Sequence, residues 1–280
     1  MERFSLLGVR FSCGTREELL ADAADRIKKA RKARGIGTAE EAARGEKAVR
    51  NRGRGGEYIV TPNAEITYRA ARDADFFGIL NRAATVLPDG VGVTAAARLF
   101  GVRLCRFPGI EFAEHLLAAA PPEGYRLFLL GGRAGVAERA AATLEERFSR
   151  VRVVGVHHGY FKDAEDAAVT AAITAAEPDL LFVCLGSPRQ EKWMAVHPLP
   201  CLALGLGGAL DVWSGHVRRA PRLLRRMGLE WLFRLLSEPK RWRRAPALFL
   251  FMGAVLRKRL SFFSQTARKR RFAPSKNRQM

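Results

Sequence analysis

Short apolar runs alternate with stretches of helical spacing through the middle of the chain. Residues 126–130, 151–157, 180–185 and 201–206 read as strands bounded by glycine, proline or polar residues, and residues 136–148, 163–176 and 190–197 read as helices between them. Runs this short and this continuously apolar suit strands buried on both faces. The alternation therefore predicts an α/β fold, a Rossmann-like and mainly parallel sheet with helices on both faces. Upstream, residues 6–11 read as a first strand and 15–33 as a helix, where Thr15 and Glu18 have the spacing of a capping box. Residues 58–60 form a short strand ending at Thr61-Pro62-Asn63, followed by helical pattern to residue 82. Another strand runs into the turn Pro88-Asp89-Gly90, a helix covers 93–100, and a strand-like run at 104–107 leads into a helix at 110–120.

Two regions break this pattern. Residues 35–56 are rich in glycine, arginine and alanine with no apolar face, which predicts a solvated, partly disordered insertion. From residue 218 onward the chain becomes basic, and helical pattern returns at 229–236 and 239–256. The expected organisation is a core at 1–217, a basic helical appendage at 218–260 and a basic, disordered tail at 261–280.

Charge sharpens that division. The 280 residues carry a formal charge of +20, and after residue 217 the only carboxylates are Glu230 and Glu238. An anionic partner follows, either a membrane surface or nucleic acid. Aromatic residues interleaved with arginine suit both. The Phe-Leu-Phe-Met run at 249–252 offers more apolar area than tracking a nucleic-acid backbone requires, so Trp242, Phe249 and Phe251 are expected to contact lipid. The longest apolar run, 245–256, is about half the ~20 residues of a spanning helix. Four cysteines form no C-x-x-C pair and lie mostly in apolar runs, as reduced core residues do. With no secretory signal at the N-terminus, the expectation is a peripheral protein on the cytoplasmic face of the plasma membrane.

Candidate chemistry gathers where strands end. Asp89 sits at a strand-to-helix turn, where ligands bind in open parallel sheets and where a carboxylate can act as a general base; a plain Asp-Gly turn is the alternative. Thr61 and Asn63 offer a hydroxyl and an amide at another strand end, although Asn63 equally suits a helix cap. Tyr160 follows the strand at 151–157 and can stack on a base or pack in its loop. Gln190 opens the helix after Gly186-Ser187-Pro188-Arg189, with an amide suited to a sugar or a base edge. Asp73-Ala74-Asp75 has helix-forming neighbours and reads as a turn, not as a metal motif. Neither G-x-G-x-x-G nor G-x-x-x-x-G-K-[ST] occurs, and no metal or cofactor is expected. Arg234, Arg241 and Arg244 fall at i, i+7 and i+10, and their guanidiniums match a diphosphate.

Several motifs occur in order: Val60-Thr61-Pro62-Asn63-Ala64-Glu65, Leu87-Pro88-Asp89-Gly90-Val91-Gly92, Leu129-Leu130-Gly131-Gly132, His158-Gly159-Tyr160-Phe161, Gly186-x-Pro188-x-Gln190-Glu191-Lys192-Trp193, Gly207-Gly208 with Asp211, Arg219-Ala220-Pro221, and Gly228-Leu229-Glu230-Trp231 through Glu238-Pro239-x-Arg241-Trp242. Over residues 6–260 the chain resembles the WecG/TagA/CpsF family of bacterial glycosyltransferases, family 26. The resemblance implies an inverting, metal-independent transferase that moves N-acetylmannosamine or a related sugar from a UDP donor to an undecaprenyl-diphosphate-linked sugar. It further implies Asp89 as catalytic base, Thr61 and Asn63 in the sugar site, and Gln190 in the donor site. Tyr160 and Asp211 would lie near the nucleotide, with Arg234, Arg241 and Arg244 reaching the diphosphates from a membrane-associating appendage. Homo-oligomerisation stays open, and nucleic acid is not an expected partner. One departure bears on sugar choice: where the family has Thr-Gly-x-Asp, this chain has Pro108-Gly109-Ile110-Glu111. The rival reading is a non-catalytic nucleotide-binding fold whose basic tail binds nucleic acid.

Overall fold

A computed structural model of the chain describes residues 1–35, 56–237, 242 and 245–271. Nearly all of the 35–56 insertion, Arg241, Arg244 and residues 272–280 of the expected tail lie outside the described residues.

The chain opens with an antiparallel hairpin, β1 (Arg3–Leu6) and β2 (Val9–Ser12), where one strand at 6–11 was expected. Leu7 and Gly8 both take positive φ, 50° and 91°, the geometry a two-residue hairpin turn requires. Leucine rarely adopts it, so no local signal marks the turn. The helix Arg16–Arg34 then starts on the predicted capping box: Thr15 Oγ1 accepts from the Glu18 N–H at 3.2 Å, and the Thr15 N–H donates to Glu18 Oε2 at 2.9 Å.

Six parallel strands make the main sheet, β3 (Tyr58–Val60), β4 (Thr85–Val86), β5 (Tyr125–Gly131), β6 (Val151–His157), β7 (Leu180–Cys184) and β8 (Leu202–Gly205), in the order β4-β3-β8-β7-β5-β6. Side-chain alternation builds two cores. Leu181 and Val183 of β7 join Val60, Phe128 and Leu130 on one face, while Leu180 and Phe182 join Ile59, Leu127, Leu129 and Leu204 on the other. Each such side chain stabilises the fold by about 1.5–3 kcal/mol before entropy is counted. The run at 104–107 does not enter the sheet; the Phe107 N–H donates instead to the Pro88 carbonyl at 3.1 Å. Asp73 caps helix Ala74–Arg82 by accepting from the Phe76 N–H at 3.0 Å, so Asp73-Ala74-Asp75 is a helix start. All four cysteines are free, and burial pushes the Cys184 and Cys201 thiols up to about 12.

At the amino end of β7 the buried Asp179 carboxylate is enclosed by cations. It accepts from Arg31 Nε at 2.8 Å and Nη2 at 2.5 Å, from Arg34 Nη2 at 2.5 Å and from the Arg126 N–H at 2.8 Å. This cluster fastens helix Arg16–Arg34 to the sheet.

The C-terminal part comprises helices Arg222–Arg226, Glu230–Ser237 and Ala245–Arg271. The last begins later than the expected 239–256 and runs further. It lies against helices Ala64–Ala70 and Val91–Leu99. Phe251, expected at the membrane, is instead 0% exposed: together with Val255, one helical turn on, it packs into the core among the apolar residues of those helices. Phe249 and Trp242 remain at the surface, 75% and 61% exposed. Two residues along a helix is a rotation of about 200°, which separates Phe249 from Phe251. Among the described residues no helix is long and apolar enough to cross a membrane.

Candidate functional site

Because the strands are parallel, the segments that follow β3, β4, β7 and β8 all gather at one edge of the sheet. From β3 the chain goes to the edge strand β4 on one side, then returns across the sheet to β5 on the other; in open α/β sheets ligands bind outside the carboxyl ends of the strands at such a reversal. Thr61, just past β3, donates its hydroxyl to the Gly205 carbonyl at the end of β8, 2.9 Å away. The two strand ends are thereby tied together.

Asp89 lies beside that tie. Its N–H reaches the Pro62 carbonyl at 3.4 Å, and its residue is partly exposed. Gly90 follows at φ 87°, where an L side chain is strained, and helix Val91–Leu99 starts directly after it. Asn63 packs against this turn: a Cβ on Gly90 would lie 3.9 Å from the Asn63 Cβ. The Asn63 side chain caps helix Ala64–Ala70 by accepting from the Ile66 N–H at 3.0 Å. Thr61, Asn63 and Asp89 are thus brought together, the first two with structural bonds of their own.

Gln190 sits at the neighbouring strand end and is buried. Its Oε1 accepts from the Gly207 N–H at 2.9 Å, and its Nε2 donates to Glu191 Oε1 at 3.0 Å. Because the Gly207 N–H is a donor, it fixes which end of the amide faces it; Glu191 satisfies the other end. The amide therefore brackets the loops after β7 and β8. Burial pushes the Glu191 carboxyl up, with the Gln190 amide opposing. Among the described residues Glu191 Oε2 and the nearby Ser187 Oγ are buried without a hydrogen-bond partner. Arg69 holds the Ser187 carbonyl at 3.3 Å. Neither Glu191 nor Arg69 stood out in the sequence as a site residue, though Glu191 lies inside the Gln190 motif.

On the β5–β6 side, Arg189 organises the loop that carries Tyr160. Its guanidinium donates to the Gly159 carbonyl at 2.6 Å and the Phe161 carbonyl at 3.0 Å, and stacks on the Phe161 ring at 4.7 Å. The Gly159 N–H donates to the Gly132 carbonyl at 2.8 Å, so the backbone is fixed on both sides of a tyrosine that is 72% exposed. Asp211, in helix Ala209–Trp213, turns its carboxylate back to within 3.6 Å of where a Gly208 Cβ would stand. Arg234 belongs to helix Glu230–Ser237.

The C-terminal part packs on the helix that follows Asp89. Gly228, at φ 76°, approaches Val91 so closely that a Cβ would meet its side chain at 3.1 Å, and Leu248 lies 3.4 Å from where a Gly92 Cβ would be. Both contacts fall on the helix that begins beside Asp89. Among the described residues no group of three or more His, Cys, Asp or Glu is arranged to hold a metal ion.

The arrangement offers a partly exposed carboxylate, a ring of hydroxyl and amide groups, a presented aromatic ring and an arginine-bearing segment at the rim. The model of the glycosyl transferase WecG/TagA/CpsF family matches residues 34–265. The chain is similar to the N-acetylglucosaminyldiphosphoundecaprenol N-acetyl-beta-D-mannosaminyltransferase of Bacillus subtilis (strain 168), 36% identical over 206 residues, covering 72% of this chain and 80% of that protein. Proteins of the same name from Bacillus spizizenii (37% over 207 residues, 72% and 79% covered) and Staphylococcus aureus strain MW2 (34% over 202 residues, 71% and 79% covered) are similar in the same way. The chain belongs to the WecG/TagA/CpsF family of glycosyl transferases.

Proposed function

We propose that this glycosyltransferase moves N-acetylmannosamine, or a closely related hexose or uronic acid, from a UDP donor to a sugar carried on undecaprenyl diphosphate, with inversion at the anomeric carbon. The observation that carries the reading is the position of Asp89, a carboxylate past the carboxyl end of the edge strand β4, beside Thr61 and Asn63 and at the start of the helix against which the C-terminal segment packs. In this reading Asp89 takes the proton of the acceptor hydroxyl as that oxygen attacks the anomeric carbon. The bond from the anomeric carbon to the UDP oxygen breaks in the same displacement, and its electron pair leaves with UDP. A single displacement from the face opposite the leaving group inverts the centre. Gln190 and Glu191 shape the donor side through the Gly207 backbone, and Tyr160 offers its ring to the base. Arg234, Arg241 and Arg244 meet the negative charge of the diphosphates.

A membrane-bound acceptor requires the enzyme at the lipid surface. Trp242, Phe249, Leu236, Leu223 and Met227 are exposed apolar side chains of the C-terminal segment, in a stretch dense in arginine and lysine. Such a surface suits an anionic interface, and we place the enzyme there as a peripheral protein.

The test is transfer of labelled sugar from a panel of UDP-sugars to a short-chain polyprenyl-diphosphate-GlcNAc in the presence of EDTA. Transfer that survives EDTA in the wild type and collapses in Asp89→Asn supports the reaction and the base, and the panel names the donor. A folded wild type that uses no donor in the panel overturns the reading. Salt-sensitive nucleic-acid binding without vesicle binding would instead support the rival role of the basic segment.

A further inference from the structure

The carboxylate at the family departure, Glu111, faces three arginines from two distant stretches of chain, the start of the first long helix and the root of the C-terminal segment. Its Oε1 lies 2.9 Å from Arg219 Nη2 and 3.3 Å from Arg225 Nη1, and its Oε2 lies 3.6 Å from Arg16 Nη2. The surrounding bonds are continuous. Arg16 donates to the Arg106 carbonyl at 3.3 Å, Arg106 to the Arg225 carbonyl at 2.9 Å, and Arg225 Nε to the Ala220 carbonyl at 3.1 Å. Glu114, one turn further along helix Gly109–Ala118, adds a longer contact to Arg219 at 3.8 Å and receives the Trp213 indole N–H at 3.0 Å.

This cluster lies between the catalytic turn and the C-terminal segment. On one side, Gly109 is packed so that a Cβ would strike the Thr61 side chain at 2.9 Å, and Phe107 is bonded to Pro88, the residue before Asp89. On the other, Gly228 donates its N–H to the Arg225 carbonyl at 3.1 Å and rests on Val91. Without Glu111, three guanidiniums would crowd one partly buried place with too little negative charge to hold them. Burial, and then the Arg225 charge, already push the Arg219 guanidinium below its ordinary value.

We propose that Glu111 is a positioning residue: its contacts with Arg219, Arg225 and Arg16 fasten the root of the C-terminal segment over the Asp89 turn and so set where the arginines further along act. The catalytic part of this proposal rests on the reaction proposed above. It also assigns the departure at residue 111 a task other than contacting the sugar. Glutamate spans one methylene more than aspartate, which suits it to reach three partners at once.

The test uses the full chain as Glu111→Ala, Glu111→Gln and Glu111→Asp, read by hydrogen exchange and by steady-state transfer. In Glu111→Ala, amides at 219–233 exchange about ten- to a hundredfold faster, the range expected from losing charge-assisted hydrogen bonds, while β5, β7 and β8 keep their protection. The turnover number falls by about tenfold or more with the donor KM within about twofold, since the lost contact acts on the transition state and not on donor binding. Asp, which keeps the charge but reaches less far, restores part of both readouts, and Gln restores little. Unchanged exchange at 219–233 overturns the proposal. Equal loss of protection in the strands overturns it too, by making Glu111 a general stability residue. Local loosening with unchanged turnover in every variant overturns the positioning role. A wild type that transfers no sugar counts against the reaction, while exchange still decides for or against the fastening.

Discussion

Two aspartates at opposite ends of the same sheet stand in contrasting surroundings, and the proposed reaction gives them contrasting tasks. Asp179 stands at the amino end of β7, 1% exposed, with Arg31, Arg34 and the Arg126 N–H all directed at it. Asp89 stands past the carboxyl end of β4, partly exposed, on a turn shaped by Gly90. The amino end is sealed by the helix Arg16–Arg34, so charge there is spent on holding elements together. Past the carboxyl end of β4, Asp89 stays partly exposed, and in the proposed reaction it is there that its carboxylate meets the substrate. A buried ion cluster is strongly harmed when one partner is removed, whereas a partly exposed carboxylate at a turn, if it serves the proposed reaction, is expendable for folding.

The contrast can be broken at several points. The largest effect is expected from Asp89→Asn, which lowers the turnover number about 10²–10⁴-fold, the contribution of a positioned general base, while the thermal midpoint stays within about 2 °C. A drop in midpoint matching the loss of activity would show Asp89 to be structural. Asp179→Ala should do the reverse, costing about 3–5 kcal/mol in urea unfolding by leaving buried guanidiniums unpaired, with transfer per folded molecule retained. Along helix Ala245–Arg271 the same division recurs on a smaller scale. Phe251→Ala should cost about 3–5 kcal/mol through the cavity it leaves. Phe249→Ser should change stability by no more than about 0.5 kcal/mol but reduce sedimentation with anionic vesicles; equal destabilisation by both would refute the separation of their faces.

The smallest effect is a pH slope. Burial pushes the Asp179 carboxyl up, but hydrogen bonds from Arg31 and the Arg126 N–H, with the charges of Arg31 and Arg34, outweigh it and hold the carboxyl below its ordinary value. A folded-state value below the unfolded value of about 3.9 contributes stability above that pH. The contribution is lost as pH falls through the folded-state value. Chemical denaturation from pH 6 down to pH 2 should therefore show a shallower acid decline in Asp179→Asn than in the wild type. Parallel declines would mean that other carboxylates carry the acid sensitivity.

What the chain states locally, its sequence shows well. The strand at Val151–His157 and the capping box at Thr15 and Glu18 were readable because apolar continuity and a four-residue spacing are local properties. The Leu7-Gly8 turn was not, since a leucine at positive φ is imposed by the hairpin around it. Residues 104–107 have strand composition, yet the Pro88 carbonyl and not a neighbouring strand receives the Phe107 N–H. Phe249 and Phe251 were read as one apolar patch; the helical spacing of Leu248, Phe251 and Val255 carried the signal that separates them. Asp89, Thr61, Asn63 and Gln190 were legible as strand-end polar groups, but the partners that hold them in place were not. The tie from Thr61 to Gly205 spans 144 residues, and the gathering of Arg16, Arg219 and Arg225 on Glu111 depends equally on the folded topology.

The strand order carries a consequence for how the protein is made. A ribosome delivers β3 and β4 early, then β5 and β6, yet the strands that join these two pairs, β7 and β8, are the last to emerge. Until then each half of the sheet has an open edge awaiting a partner, the kind of exposed edge on which nascent chains associate wrongly. Insertion of β8 between β7 and β3 closes the sheet, and the same event brings Gly205 to Thr61 and Gly207 to Gln190. The loops past the strand ends are therefore tied together in the final step of assembling the core, so a nascent chain released before residue 205 has neither a continuous sheet nor the bonds that hold Thr61 and Gln190.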